Sequence, residues 1–337
     1  CRQRRQPSAE QTATPAKPAW PLVGIASDAS AGPAGREPKA ASVVSEADIR
    51  TFLQALVVGV STGSAFALVG ISFVLIYRTT NIINFAQGAF AVMGGLFTFW
   101  LVPEVPTWLA GAIAVIAVAG IGAVFGFVAM GFRGKTTPLA SLVITLGIAL
   151  VVSSLELLKF GDRPHNYAGI SERSWSVWDV AISPQYALVV GVTIAAALLL
   201  TLVLRKTIVG NALVACADQV RAAELVGINV RAVAMIAFAV SAALSALGWV
   251  LLTPVTSVNY DSDVGIAVNG FAAAAVGGLV SIRYAYLGGL LLGVAEQMVV
   301  VYGDRLTEQA RQYELAAALI IILLLIGWRS RHEVEAT

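Results

Sequence analysis

Charge is scarce in this chain. Of 337 residues only 12% are Asp, Glu, Lys or Arg, and the formal net charge is +2. An ordinary soluble domain carries roughly 25% charged residues. Apolar residues reach 58%, more than so few charges can screen from water, which excludes a cytosolic enzyme. The lack of a basic surface excludes a nucleic-acid binder. Cysteine is almost absent. Cys1 and Cys216 stand in unlike contexts, which excludes a disulfide scaffold and a multi-cysteine metal site. The two histidines, His165 and His332, fall outside the apolar blocks, so no histidine relay or His-rich metal centre sits within them.

What the chain does have is apolar blocks of bilayer-crossing length, about 20 residues each. About nine are predicted, at 52–77, 82–102, 107–131, 138–158, 185–204, 232–256, 264–281, 285–302 and 313–327. The 264–281 block is short and rich in Ala and Gly, so eight spans is the alternative. The fold class that follows is all-α, a polytopic helical membrane protein with about 8–9 transmembrane helices. Residues 1–50 carry six Pro and seven Lys or Arg without apolar periodicity and read as a disordered or mis-started tail. Residues 51–330 form the membrane domain and 331–337 a C-terminal tail. Outside the N-terminal tail, ten basic residues fall in loops on one side and five on the other. The bias places the first set in the cytoplasm, with the N-terminus outside and the C-terminus inside.

Gly59 and Gly63, Gly122 and Gly126, and Gly289 and Gly293 form small-xxx-small pairs, the spacing that lets helix backbones approach in lipid. The first pair brackets Ser61 in a G-x-S-x-G pattern. A serine nucleophile needs an adjacent base, and both histidines are peripheral, so packing is the preferred reading over an intramembrane hydrolase. Gly134-Lys135-Thr136 resembles the end of a phosphate loop, but the required first glycine falls at Ala129 within an apolar block. No catalytic group and no metal or nucleotide site is expected in the chain itself.

Polar groups at membrane depth are few. Asn81, Asn84 and Gln87 open the second block, and their spacing predicts three amides broadly on one helical face, next to Gly88. Glu156 lies near the outer end of the fourth block, Asn269 is in the seventh, and Glu296 precedes Gln297 in the eighth. Such residues mark solute or ion paths by default. Asn84, Gln87, Asn269 and Glu296 are the solute-path candidates, each weighed against a purely structural hydrogen-bonding role.

The longest inside loop, 205–231, reads as one surface helix from an Asn211 N-cap to Gly227 at the C′ position. Asp218, Arg221 and Glu224 recur every three residues and can pair on its exposed face. Leu213, Val214, Ala217, Val220 and Leu225 supply an apolar side able to dock on the membrane interface or on a soluble partner.

The stretch Ala223-Glu224-Leu-Val-Gly227-Ile-Asn229 resembles the coupling loop of ABC importer permeases of the branched-chain amino acid (LivH-like) family. The run from Gly63 to Tyr77 and on through Ile83-Asn84-Phe85-Ala86-Gln87-Gly88 is similar to that family's opening block. Phe271 to Leu279, then Leu287 to Gly293 and Glu296, resembles its closing block. This chain carries Gln87 where the family usually has His, keeping a donor and an acceptor without the capacity for charge. The resemblance implies a permease subunit of an ATP-driven importer in the bacterial inner membrane. It would move branched-chain amino acids or a related small polar solute by alternating access. Implied partners are a second homologous permease, two cytoplasmic ATPase subunits that bind the ATP, and an extracytoplasmic solute-binding protein. Ala222, Ala223, Glu224 and Gly227 become the ATPase-coupling residues. The competing expectation is a self-sufficient, gradient-driven carrier or channel using Glu296.

Overall fold

The computed structural model describes residues 46–80, 82–131, 138–169, 175–177 and 180–303. Most of the 1–50 tail, Asn81, the 313–327 block, the 331–337 tail and His332 lie outside the described residues. Among the described residues ten helices follow in order: α1 (Glu46–Thr80), α2 (Gln87–Leu101), α3 (Thr107–Gly131), α4 (Pro138–Phe160), α5 (Pro184–Lys206), α6 (Ile208–Asp218), α7 (Val220–Leu225), α8 (Val230–Leu252), α9 (Ser262–Val276) and α10 (Ile282–Gly303). Six of them, α1, α3, α4, α5, α8 and α10, are long and apolar enough to cross a membrane. A two-stranded antiparallel hairpin, β1 (Trp175–Val177) with β2 (Val180–Ile182), pairs Trp175 with Ile182 in the α4–α5 connection.

The helices sort by what surrounds them. α1 is the centre, with 83% of its most apolar window buried, whereas α5 has only 17% buried and turns Ile194, Leu198, Leu199 and Leu202 outward. α4 shows the inside-out character that lipid selects. Leu150, Val151, Leu155 and Leu158 are exposed, while Thr145, Ala149, Val152 and Glu156 form the buried stripe.

All three small-residue pairs are packing devices. A Cβ on Gly63 would sit 2.7 Å from the Gly289 carbonyl oxygen, and one on Gly59 would sit 2.8 Å from the Val294 Cα. These contacts lock α1 antiparallel to α10. Gly122 and Gly126 press α3 against Phe238 and Ala242 of α8 in the same way. The Ser61 hydroxyl, between Gly59 and Gly63, is buried with no hydrogen-bond partner.

α2 and α9 have 15 residues each, about 22 Å of helix, short of the ~30 Å hydrocarbon core. The predicted 82–102 span is therefore corrected at its start: residues 83–86 are not helical, because Asn84 turns the chain. Its Oδ1 accepts from Ala86 N at 3.1 Å, and Phe85 N donates to Thr145 Oγ1 at 3.3 Å. α9 stops at Val276, where Gly278 and Leu279 take positive φ of 63° and 59°. Gly278 N and Leu279 N return to Ala275 O and Ala274 O, closing the helix as a Schellman turn.

The end of the bundle opposite α6 and α7 is tied by side chains that satisfy the last carbonyls of α8. Tyr167 donates to Val250 O at 2.6 Å and Gln185 Nε2 to Leu251 O at 2.7 Å. Burial raises the Tyr167 phenol above its ordinary value. His165 pairs with Val258 through two backbone hydrogen bonds of 2.9 Å and lays its ring 4.4 Å from Phe99.

Candidate functional site: a polar locus between two half-helices and an exposed helical elbow

The N-terminal ends of α2 and α9 meet inside the bundle. Gly88 lies so close to the main-chain oxygen of Asp263 that no side chain fits there, and its other neighbour is the Ala267 Cβ. Around this junction runs a buried hydrogen-bonded string. Ser241 Oγ donates to Ser72 O at 3.1 Å, Ser72 and Ser245 hydroxyls meet at 2.9 Å, and Ser245 Oγ donates to Gln87 Oε1 at 2.7 Å. Ser245 has one proton and gives it to Gln87, so the Ser72 proton goes to Ser245 or to Val69 O, 2.6 Å away.

Gln87 is fully buried, and its Nε2 has no hydrogen-bond partner. An unmade buried donor of this kind costs about 1–3 kcal/mol. Ala86, the N-cap of α2, offers no side-chain acceptor. The positive end of the α2 dipole is therefore uncapped at the same place.

Asp263, at the start of α9, also bonds to α4. Ser153 of α4 donates to Asp263 Oδ2, and Asp263 Oδ1 accepts from Val264 N at 2.7 Å. One turn further along α4, Glu156 is 4% exposed, and neither of its carboxylate oxygens has a hydrogen-bond partner. Ser153, three residues earlier on the same face of α4, bonds Asp263. Phe73, Phe85 and Phe271 form a ring cluster with centroids 5.5–5.9 Å apart, on the α6–α7 side of the junction.

The sequence-predicted path residues do not converge as a set. Asn84 and Gln87 both border the junction, but they do not share a helical face, since Asn84 precedes the helix; that expectation is corrected. Asn269 is buried on α9, about 100° round the helix from Gly270, which contacts Val69 of α1. Glu296 is on α10 two turns beyond Gly289, at the level of Gly59 on α1. About 20 Å of α1 separates that level from Ser72. Asp263, Ser72 and Ser245 were missed. Asp263 has a visible signal, since it directly precedes a block too short to span.

The second locus is the α6–α7 elbow. The single predicted helix is corrected to two, broken at Gln219, with φ −157° and ψ 100°. The N-cap is Thr207 rather than Asn211, its Oγ1 accepting from Gly210 N at 3.0 Å. The break places Asp218 and Arg221 on different helices. Gly227 does occupy C′, at φ 87°, with Gly227 N donating to Glu224 O and Ile228 N to Ala223 O. Leu213, Cys216 and Ala223 are buried against Val230, Val233 and Ala237 of α8. Of the four coupling candidates, Ala223 thus faces its own chain, while Ala222, Glu224 and Gly227 are exposed. Leu225 and Val226 are 87% and 76% exposed. Burial, and then the nearby Glu224 carboxylate, push the Cys216 thiol up.

Long helices with lipid-facing exteriors, two half-length helices meeting at a buried polar locus and an exposed elbow at one end define a multi-pass membrane protein. The chain belongs to the family described as the branched-chain amino acid transport system permease component, which matches residues 55–326. It is 30% identical over 303 residues to the high-affinity branched-chain amino acid transport system permease protein LivH of Salmonella typhimurium, covering 84% of this chain and 97% of that one. It is also 30% identical over 312 residues to the corresponding protein BraD of Pseudomonas aeruginosa, covering 86% and 99%. Among solved structures, PsaBC from Streptococcus pneumoniae in complex with Fab aligns at 15% identity with a TM-score of 0.45, covering 81% of this chain and 90% of that one. The relatives are transport permeases, not enzymes.

Proposed function

We propose that the chain is a permease subunit of an ATP-driven importer in the bacterial inner membrane. Its solute is a branched-chain amino acid or a related small polar molecule, moved by alternating access. It pairs with a second homologous permease, two cytoplasmic ATPases that bind the ATP, and an extracytoplasmic solute-binding protein. The observation that carries the reading is the elbow. Leu225 and Val226 are apolar and exposed beside Glu224 and Gly227, on a helix whose other face is locked to α8. A rigid lever with an apolar tip suits a soluble partner that pushes on it. The solute path of this reading passes the α2–α9 junction, which Asn84 and Gln87 border.

Gly227 tests the coupling role, because nothing lies within 4 Å of a Cβ built there. Gly227→Ala and Gly227→Trp share the backbone strain of a positive φ, roughly 1–2 kcal/mol, and only the second obstructs a partner. The alanine variant is expected to co-purify with the ATPases and the tryptophan variant to lose them along with uptake. Equal association and uptake in both would remove the coupling assignment. Gradient-driven uptake by the purified chain without ATPases would instead establish the self-sufficient carrier.

A further inference from the structure

Two lipid-facing stripes of the bundle end in positive charge at the α6–α7 end. On α5 the outward Leu198, Leu199 and Leu202 lead to Arg205 and Lys206 in the last turn. On α10 the exposed Leu291 and Leu287 lead, four residues at a time, to Arg283 in the first turn. The two helices are neighbours, since the hydroxyls of Thr193 and Tyr286 meet at 3.4 Å. A leucine stripe that stops at Arg or Lys marks the level where hydrocarbon gives way to headgroups.

At that level a small crevice opens between the ends of the two stripes. Its walls are Arg78 of α1, Leu204 of α5, Leu213 and Val214 of α6, and Ile282 of α10. Leu204 and Ile282 are the residues directly before Arg205 and Arg283. Arg78 is half-buried. Thr79, the other polar residue of the wall, spends its hydroxyl on Leu75 O and Ile76 O. Among the described residues, no hydrogen bond or ion pair engages the side chains of Arg78, Arg205, Lys206 or Arg283. A guanidinium partly withdrawn from water against apolar walls is unfavourable without an anion. The C-terminal end of α1 offers Arg78 only a partial negative charge.

We propose that this crevice is a binding site for the phosphate headgroup of an anionic phospholipid. Arg78 offers the phosphate a planar fork of donors, and Arg205, Lys206 and Arg283 supply further positive charge around it. The acyl chains lie along the leucine stripes of α5 and α10. With a volume of about 20 Å³, the crevice admits a single small group, so the rest of the headgroup covers its mouth. A free anion would meet the charges and make no use of the stripes. A zwitterionic lipid would bring a cation of its own against Arg78. Since Leu213 and Val214 belong to α6, the bound lipid touches the helix that carries the elbow. The assignment depends on neither the solute nor the ATPases.

The test is native mass spectrometry of the full chain released from detergent, with equal amounts of dioleoylphosphatidylglycerol and dioleoylphosphatidylcholine. The wild-type chain is expected to retain one phosphatidylglycerol about tenfold more tightly than phosphatidylcholine. Each basic contact near a membrane surface is worth about a fivefold change in binding. Arg78→Gln is therefore expected to weaken phosphatidylglycerol about fivefold and leave phosphatidylcholine unchanged. Arg283→Gln, at an exposed position where folding is not at stake, is expected to act in the same direction, and it carries the test alone if Arg78→Gln does not give monodisperse protein. Arg231→Gln, an exposed arginine at the start of α8 away from the crevice, is expected to change neither. Equal retention of the two lipids by the wild-type chain overturns the proposal, as does a preference that survives the crevice substitutions. An equal loss in Arg231→Gln overturns it in favour of a diffuse basic surface. Displacement of the lipid by millimolar inorganic phosphate overturns the lipid assignment in favour of a free-anion site.

Discussion

Ser245 of α8 gives its only proton to the side-chain oxygen of Gln87 at the first turn of α2, at 2.7 Å. The bond joins a continuous span to a half-helix and leaves the amide nitrogen of Gln87 without a partner. Ser245→Ala removes the donor and strands the second amide atom as well. A destabilisation of about 1–3 kcal/mol is expected in reversible unfolding of the detergent-solubilised chain. The double variant Ser245→Ala with Gln87→Leu, which removes both polar partners, is expected to lie closer to wild type than the single one. Equal losses in the two would show that the hydrogen bond is not what stabilises this contact.

Gly88 of α2 carries the close approach of the half-helices, and Gly120 of α3 serves as its control. Both are helical glycines, but a Cβ on Gly88 would collide with the Asp263 main chain, while one on Gly120 meets nothing within 4 Å. Gly120→Ala is expected to be neutral or stabilising by up to about 1 kcal/mol through helix propensity. Gly88→Ala is expected to drive α2 and α9 apart, lowering stability and abolishing uptake. Thermal unfolding of both variants checks the contrast, and a Gly88→Ala chain as stable as Gly120→Ala would contradict the packing described.

The long helices were legible because their signal is redundant. Some twenty apolar residues in a row leave lipid as the only solvent, and small-xxx-small spacing at Gly59, Gly63, Gly289 and Gly293 announces close backbone contact before any partner is known. Gly227 was legible for a local reason, since a helix end at positive φ selects glycine. The half-helices were not. Apolar content continues through 82–86, and only the Asn84 turn and the Phe85 bond to Thr145, sixty residues away, delay the start of α2. The same applies to the site. Ser72 and Ser245 are ordinary small polar residues within apolar spans until tertiary packing sets them 2.9 Å apart. Asp263 reads as a loop charge until α9 is seen to begin inside the bundle. The elbow was placed correctly and its shape was not, because the break at Gln219 leaves no glycine or proline in the sequence to mark it.

Cys216 offers a reading of the elbow that needs no partner protein. Its side chain is buried beneath α6 against α8. Burial, with Glu224 second, raises its thiol above the ordinary value. Both effects suppress the thiolate, the species that reacts with maleimides. In a Cys1→Ser chain, which leaves Cys216 as the sole cysteine, labelling near pH 7 is expected to be far slower than after unfolding. The rate should then climb as pH rises toward the elevated value, since more thiolate forms there. Glu224→Gln separates the two causes: removing the carboxylate is expected to speed labelling at a fixed pH, while burial still holds it below the unfolded rate. Labelling of the folded chain near pH 7 as fast as that of the unfolded chain would mean that α6 does not pack on α8 as described. The elbow would then lack the rigid seat that a lever requires.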